Sequence, residues 1–536
     1  MISRPHLAPL FHSAFTLALA LAAFAPIARA QPGDTTGLSP LPPPPPPSPV
    51  ADILAAEAAI TPYADPLTLE SAVAQALAAN FDVQIQKLNT DTAEDAVEIA
   101  RSDFDPTIAI SASTGESQSA SPGSFVDSGG NVITITGSRA ETRDSRFSGT
   151  QRLSATGATL TASGRLARAE RAPTSSLLNP AYNSDVGLAI RQPLLRGAGS
   201  TVNTAAIDRA LLGAERARAD FAAQLFTVVR DVEIAYSNLA VAREQVGIRN
   251  FSLEVRKKLL EENTARRDTG VATDLEVLQA EVGVATAARD LLLARQTARD
   301  REDELLRLLG NETFENPVGP VALPPVAPPS VDIGASLARA RANTPEFTSA
   351  LAAIRQQEID ILIARNARLP QLDLGLQGGY NETAARASAA TSDIWDGDGY
   401  SWQADVSLSF PWGFREERAR LRQARTGRER EELRYAQIEQ EIVASVRSAV
   451  RALQTNIENL RLSTLAATLS QREFEVEKAR YDSGLSTFRR VQETQAALDQ
   501  ARLAELQAKV NLRAAQANLD RLEGTAPERY RLTLLP

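Results

Sequence analysis

Apolar positions in this 536-residue chain follow two rhythms, and the switch between them happens twice at matched places. Phe221, Leu225, Val228, Val232, Ala235, Leu239, Ala242 and Val246 step alternately by four and by three, the a/d spacing of a heptad. Tyr435, Ile442, Val446, Ala449, Leu453 and Leu460 hold a second seam, interrupted by Glu439 and Asn456. The spacing predicts long helices over Thr201–Arg267 and Arg415–Tyr481, each about 100 Å long at ~1.5 Å per residue. Shorter helices are expected over Leu67–Arg101 and Ala272–Leu309. Laid end to end, they would flank one long helix along its length. A soluble bundle would carry the same seam, so this period alone does not define a function.

The second rhythm begins at two prolines. In "EIARSDFDPTIAIS" (Glu98–Ser111) and "LIARNARLPQLDLG" (Leu362–Gly375), Pro106 and Pro370 end a helix, because proline lacks the amide donor and disfavours helix at the residue before it. Ile108, Ile110 and Ala112 then alternate with polar or small residues, as do Leu372, Leu374 and Leu376. A further alternating run precedes each long helix: Val186, Leu188 and Ile190 in one place, Val406, Leu408 and Phe410 in the other. Each run suits a tilted strand of about ten residues crossing a bilayer. Trp395, Tyr400, Trp402 and Trp412 cluster around the last run, and aromatics at strand ends fit the interfacial girdle of a membrane barrel. Edge strands of a soluble sheet remain the alternative.

These rhythms belong to an internal repeat. A shift of 264 places Leu67 on Val331, Ala76 on Ala340, Ile99-Ala100-Arg101 on Ile363-Ala364-Arg365, and Pro106 on Pro370. A shift of 214 places "RRDTGVATDLEVLQAEV" (Arg266–Val282) on "RYDSGLSTFRRVQETQA" (Arg480–Ala496), with Gly270 on Gly484. The first copy therefore carries fifty extra residues, mainly within 115–191, where Gly, Ser and Thr are dense. They include a hairpin centred on Thr156-Gly157, expected to enlarge an external loop or extend strands beyond the membrane. The domain plan is a signal peptide over 1–30, a proline-rich arm over 31–66 and a first repeat over 67–310. A linker over 311–330, a second repeat over 331–524 and a tail over 525–536 complete it.

Composition narrows the chemistry. Arg4, the apolar run Ala14–Ala25 and Ala28-Arg29-Ala30 together read as an export signal with a cleavage site. Without those thirty residues the net charge moves from −9 to −11, and both histidines, His6 and His12, are gone. The chain has no cysteine. Disulfides, thiol nucleophiles, ordinary zinc sites and Ser-His-Asp catalysis are thereby excluded from the mature protein. An acidic chain whose arginines lie among glutamates is a poor match for nucleic acid. No later stretch suits a transmembrane helix, so entry into a membrane would have to be by strands. Four strands cannot close a barrel and an open edge cannot stand in lipid, so several chains would have to share one barrel.

At this point the chain resembles the outer-membrane efflux protein family, the TolC-like channels, over about Leu67–Gly524. The likeness rests on "LTLESAVAQALAAN", the exits "IARSDFDP" and "IARNARLP", "RQPLLRG" (Arg191–Gly197) leading into a long helix, and "ARYDSGLSTFRRVQETQ", in that order. The resemblance implies a mainly α fold with membrane β and two structural repeats. Long coiled-coil helices would form a periplasmic α-barrel, and four strands per chain would build a trimeric twelve-stranded transmembrane β-barrel. It implies a homotrimer in outer-membrane lipid that docks a periplasmic adaptor and an inner-membrane pump, with no catalysis and no cofactor. The turns at Gly270 and Gly484, with Tyr481, would lie at the periplasmic tip where the adaptor docks. Glu276, Arg490 and Glu493 would sit at the periplasmic aperture. There the second copy departs from the family's acidic pattern, and Arg490 is expected to pair with Glu276 or Glu493. Pro106 and Pro370 mark the helix-to-strand exits, and Trp402, Trp412 and Tyr400 the membrane interface. The competing readings are a periplasmic adaptor and a structural coiled-coil protein spanning the envelope.

Overall fold

The computed structural model describes residues 66–536 other than 120–122, 136, 173–175, 312–313, 315–316, 324–331, 397, 526–528 and 531–536. The expected signal peptide and nearly all of the proline-rich arm lie outside the described residues.

The first repeat opens with α1 (Leu69–Ala79) and α2 (Phe81–Ser102), where the heptad and proline cues suggested one helix. Asn80 divides them. Its side-chain oxygen accepts from the amides of Asp82 and Val83 at 2.9 and 3.3 Å, starting α2, while its Nδ2 donates to the Leu308 carbonyl at 2.9 Å. A buried asparagine with a satisfied side chain is a stronger helix start than its neighbours' propensities can override. Strands β1 (Thr107–Gln118), β2 (Gly123–Val126), β3 (Val132–Ile135), β4 (Arg139–Arg152), β5 (Thr159–Ala172) and β6 (Ala181–Pro193) follow. The chain returns through α3 (Ser200–Asn203) to the long α4 (Ala205–Asp268), turns, and ends the repeat with α5 (Asp274–Leu308). The second repeat has α6 (Ile333–Asn343), α7 (Pro345–Ala367), β7 (Gln371–Ala384) and α8 (Ala387–Ser392), the last followed by one 3₁₀ turn. It continues with β8 (Tyr400–Ser409), the long α9 (Arg415–Asp482) and α10 (Phe488–Glu523). The 64 residues of α4 and 68 of α9 give helices of about 100 Å.

α4 packs along α5 and α2, α9 packs along α10, and α7 touches both long helices. The seams predicted from the heptads are where the cores form. Val228, Val232 and Leu239 of α4 bury with Ala76 of α1 and Leu305 of α5. Ile442, Val446 and Leu453 of α9 bury with Ala340 of α6 and Leu519 of α10. These are the same positions displaced by 214 or 264 residues, so the repeat is one of packing as well as sequence. A third core joins the two long-helix pairs near their far end, with Leu259, Ala280, Phe474, Tyr481, Phe488 and Val491.

The sheet corrects the expected strand count. Among the described residues one sheet has six strands in the order β1-β4-β5-β6-β7-β8, every neighbour antiparallel, and β2 and β3 form a separate two-stranded ribbon. The four strands expected, β1, β6, β7 and β8, are present. The fifty extra residues neither merely lengthen a loop nor extend those strands: β4 and β5 enter the sheet between β1 and β6. Each pairs along its length, 14 residues with 14 between β4 and β5. Cross-strand pairing leaves no donors idle, which is why a segment with two turn signals and strand-length runs joins the ladder rather than hanging outside it.

Candidate functional site: a two-faced sheet and a helical tip

Because strand residues alternate between faces, the register sorts every side chain of the sheet. One row crosses all six strands as Ile110, Phe147, Gly164, Val186, Tyr380 and Tyr400, and the next as Ile108, Gly149, Ala162, Leu188, Gly378 and Trp402. This face carries no charge until its outer end, where Glu116, Glu141, Arg143, Arg168, Glu170 and Glu382 begin. The opposite face has rows such as Ala109, Ser148, Ser163, Gly187, Gly379 and Ser401, and it holds the interior charges. Arg191 meets Asp373 at 2.8 Å there, and Asp144 lies 2.7 Å from Arg146 and 2.5 Å from Arg165. Ile108, Ile110, Leu188, Val406, Leu408 and Trp402 are all exposed. A charge facing lipid near the bilayer midplane costs about 2–4 kcal/mol, whereas one facing water costs little. The apolar face is therefore the lipid face and the polar face borders water.

The exits and aromatics take their places on this sheet. Pro106 and Pro370 each stand immediately before a strand, at the end nearest the helices. Tyr400 and Trp402 lie on the apolar face and are exposed, with Trp395 against Tyr380 at 6.4 Å between ring centroids. Trp412 is at the opposite end, in the turn into α9, beside the stacked Phe410 and Phe414. Aromatic residues thus stand at both ends of β8.

At the far end of the helices the two turns are near copies. Gly270 and Gly484 both have φ +75°. The amides of Gly270 and Val271 donate to Arg267 and Arg266, those of Gly484 and Leu485 to Tyr481 and Arg480. This is the Schellman closure, which needs a left-handed residue and so favours glycine. Tyr481 is buried; its hydroxyl donates to Asn263 Oδ1 at 3.1 Å, the Arg266 guanidinium sits 4.3 Å from its ring centroid, and burial pushes its phenol pKa up.

The three aperture candidates are not drawn into one cluster. Glu276 caps its own helix: its Oε2 accepts from the Thr273 amide at 2.8 Å, and its amide donates to Thr273 Oγ1. Arg490 lies 3.5 Å from Glu493 and 3.8 Å from Glu473, and Arg489 lies 2.9 Å from Glu493. The Arg489 guanidinium, with Arg490 behind it, holds the Glu493 carboxyl below its usual range. The capping role was legible in the sequence as the box Thr273-Asp274-Leu275-Glu276.

Sequence reasoning missed a charged cluster midway along the helices. Glu233 of α4 accepts from the Tyr530 hydroxyl, Arg529 pairs with Asp520 of α10, and Arg529 approaches Glu233 at 4.0 Å. Burial raises Asp520 to about 6 and pushes Glu233 up as well. Arg529 and Tyr530 come from the C-terminal tail, where no periodic pattern announces a contact. The only cue was Glu233 placed directly after a seam valine.

A lipid-facing sheet carried on helices of this length defines a membrane protein with a long extramembrane shaft. Solved structures share that fold. The outer-membrane channel OprN superposes with TM-score 0.63 at 20% identity, covering 85% of this chain and 89% of that one. VceC from Vibrio cholerae gives 0.61 at 16% identity, covering 85% and 96%. Curated relatives include the pyoverdine export outer membrane proteins OpmQ of Pseudomonas putida, 26% identical over 314 residues, and of Pseudomonas aeruginosa, 27% over 325. Each alignment covers 58% of this chain and just under two thirds of the relative, 64% and 65%. The outer membrane efflux protein family matches residues 72–311 and 337–525. The chain belongs to that family and is an outer-membrane protein.

Proposed function

We propose that three copies of the chain form one passive exit channel of a tripartite efflux or type I secretion system. The open edges of the two-faced sheet carry this reading. β1 and β8 are both edge strands, their outward rows are apolar, and unpaired backbone cannot remain in lipid. β1 runs away from the helices and β8 runs back toward them, so the edges of neighbouring copies meet antiparallel. The helices also carry exposed apolar residues, Leu275, Leu278 and Val282 on α5 and Leu462, Leu465 and Leu469 on α9, all more than half exposed. In the trimer the shaft becomes a helical tunnel through the periplasm. Its tip, with Gly270, Gly484 and Tyr481, docks an adaptor, and an inner-membrane pump supplies the energy and selects the cargo. Glu276, Arg490 and Glu493 border the entrance, with Arg490 held by Glu493 and Glu473.

The test is single-channel recording of the purified mature protein in a planar bilayer, with its mass measured in detergent. Discrete conductance steps from a trimer are expected. A monomer that stays soluble without detergent and never inserts would refute the channel. For the aperture, Arg490→Ala should change the resting conductance; an unchanged value removes the Arg490 pairs from any gate.

A further inference from the structure

We infer that the inserted hairpin β4–β5 is part of the transmembrane wall, so that the trimer closes an eighteen-stranded barrel whose water-facing surface is neutral, where the four other strands alone would leave it acidic. The inference rests on the trimeric channel proposed above and goes beyond it. Three observations place the hairpin in the wall. Its register is unbroken with β1 on one side and with β6 on the other, at the level where both are apolar outward. Its own residues obey the same division. At the depth of Ile110 and Val186 the lipid face receives Phe147 and Gly164, while the charges at that depth, Asp144, Arg146 and Arg165, all point to the water face. Residues outside a membrane would be under no such constraint. Charges reach the lipid face of the hairpin only beyond Ser145 and Leu166, toward its outer end.

The third observation is how the hairpin's inner turn is seated. The Leu153 amide donates to Ala158 and that of Gly157 to Leu153, both at 2.8 Å. Gly157 has φ +78°, and a Cβ there would meet the Gly197 carbonyl at 2.4 Å. Gln192 Nε2 donates to the Thr156 carbonyl at 3.1 Å, and Arg152 to Asn203 Oδ1 at 2.7 Å. The turn is thus built into the junction between sheet and helices, as a wall strand requires.

Two properties follow. Barrel diameter grows nearly in proportion to strand number, so going from twelve strands to eighteen widens the barrel about 1.5-fold and more than doubles its cross-section. The charge of the wall changes as well. The four strands other than the hairpin put Asp185, Asp373, Asp405 and one cation, Arg191, on the water face. Along its membrane-spanning stretch the hairpin adds Arg146, Arg152 and Arg165 against Asp144. The wall goes from −2 to 0 per chain. The hairpin's arginines thereby cancel the acidic excess that would repel anionic solutes within a Debye length of about 8 Å at physiological salt.

The absence of cysteine permits a direct test on the full mature chain. Ser148→Cys and Phe147→Cys are reconstituted separately in lipid nanodiscs and treated with a membrane-impermeant maleimide, and strands are counted by electron cryomicroscopy of the unlabelled trimer. The expected result is eighteen strands, with Ser148→Cys labelled and Phe147→Cys protected. A trimer with twelve wall strands, or equal labelling at both positions, overturns the inference and leaves the channel standing. Particles that are not trimers overturn the channel itself. In a salt gradient the Arg146→Gln/Arg165→Gln trimer should shift its reversal potential toward cations; no shift refutes the charge assignment even if the strand count is right.

Discussion

Tyr481 ties the two long-helix pairs together at the tip, and its removal should loosen them. The side chain is 4% exposed, donates to Asn263 Oδ1 at 3.1 Å, packs against Phe488 with ring centroids 6.5 Å apart, and lies beneath the Arg266 guanidinium. Replacing it with alanine removes ring packing worth about 3–5 kcal/mol. It also removes a cation–π contact worth ~0.5–2 kcal/mol. Asn263 Oδ1 is left without its donor, at a cost of about 1–3 kcal/mol. These terms overlap and do not add. If about 3 kcal/mol of them biases the equilibrium between joined and separated helix pairs, the separated state gains roughly a hundredfold. Tyr481→Phe, which keeps the ring, should lose only the hydrogen-bond portion. Resting conductance in a planar bilayer should therefore rise from wild type through Tyr481→Phe to Tyr481→Ala. A Tyr481→Ala trimer of normal helix content with wild-type resting conductance would refute the reasoning.

The buried acids predict a pH dependence of stability. The folded-state pKa of Asp520, about 6, stands above its ordinary 3.8, so the fold prefers the protonated form. Its contribution is complete below pH ~4, falls as pH rises through 6 and then levels, over at most about 3 kcal/mol, with Glu233 acting in the same direction. Thermal melts of the detergent-solubilised protein should show this decline, and Asp520→Asn should flatten it. Leu239→Ala and Leu453→Ala remove fully buried side chains at equivalent places of the repeat, and each should cost about 2–5 kcal/mol by denaturant titration. Gly157→Val should prevent the inner turn from seating, because the position needs a positive φ and faces the Gly197 carbonyl. The loss should be visible as reduced heat-resistant trimer on gels.

The helices were legible because burial and sequence share one period there: Val228, Val232 and Leu239 were named by their spacing and are the core. The exits were legible because proline acts locally. The turn of hairpin β4–β5 was legible at Thr156-Gly157, but its place inside the sheet was not, and the reason is physical. Beyond the membrane both of its faces meet water, so Arg139, Glu141, Arg143 and Arg168 blur an alternation that survives only around Phe147 and Leu160. Its pairing also depends on strands distant in sequence. At the tip, the glycine turns followed from sequence alone, whereas the partner of Arg490 depended on which carboxylate was free. Glu276 was already engaged by the Thr273 amide.

The alternating strand directions have a consequence for how such a pore can change over time. β1 starts where the helices stop and β8 ends where they resume, so the sheet must leave and return on the same side of the membrane. Only an even number of added strands preserves this. An odd insertion between β1 and β6 would send α4 to the far side of the membrane, away from the other helices. Under threefold symmetry, pore width is therefore quantised in hairpins, six strands at a time, and intermediate widths are closed to gradual evolution.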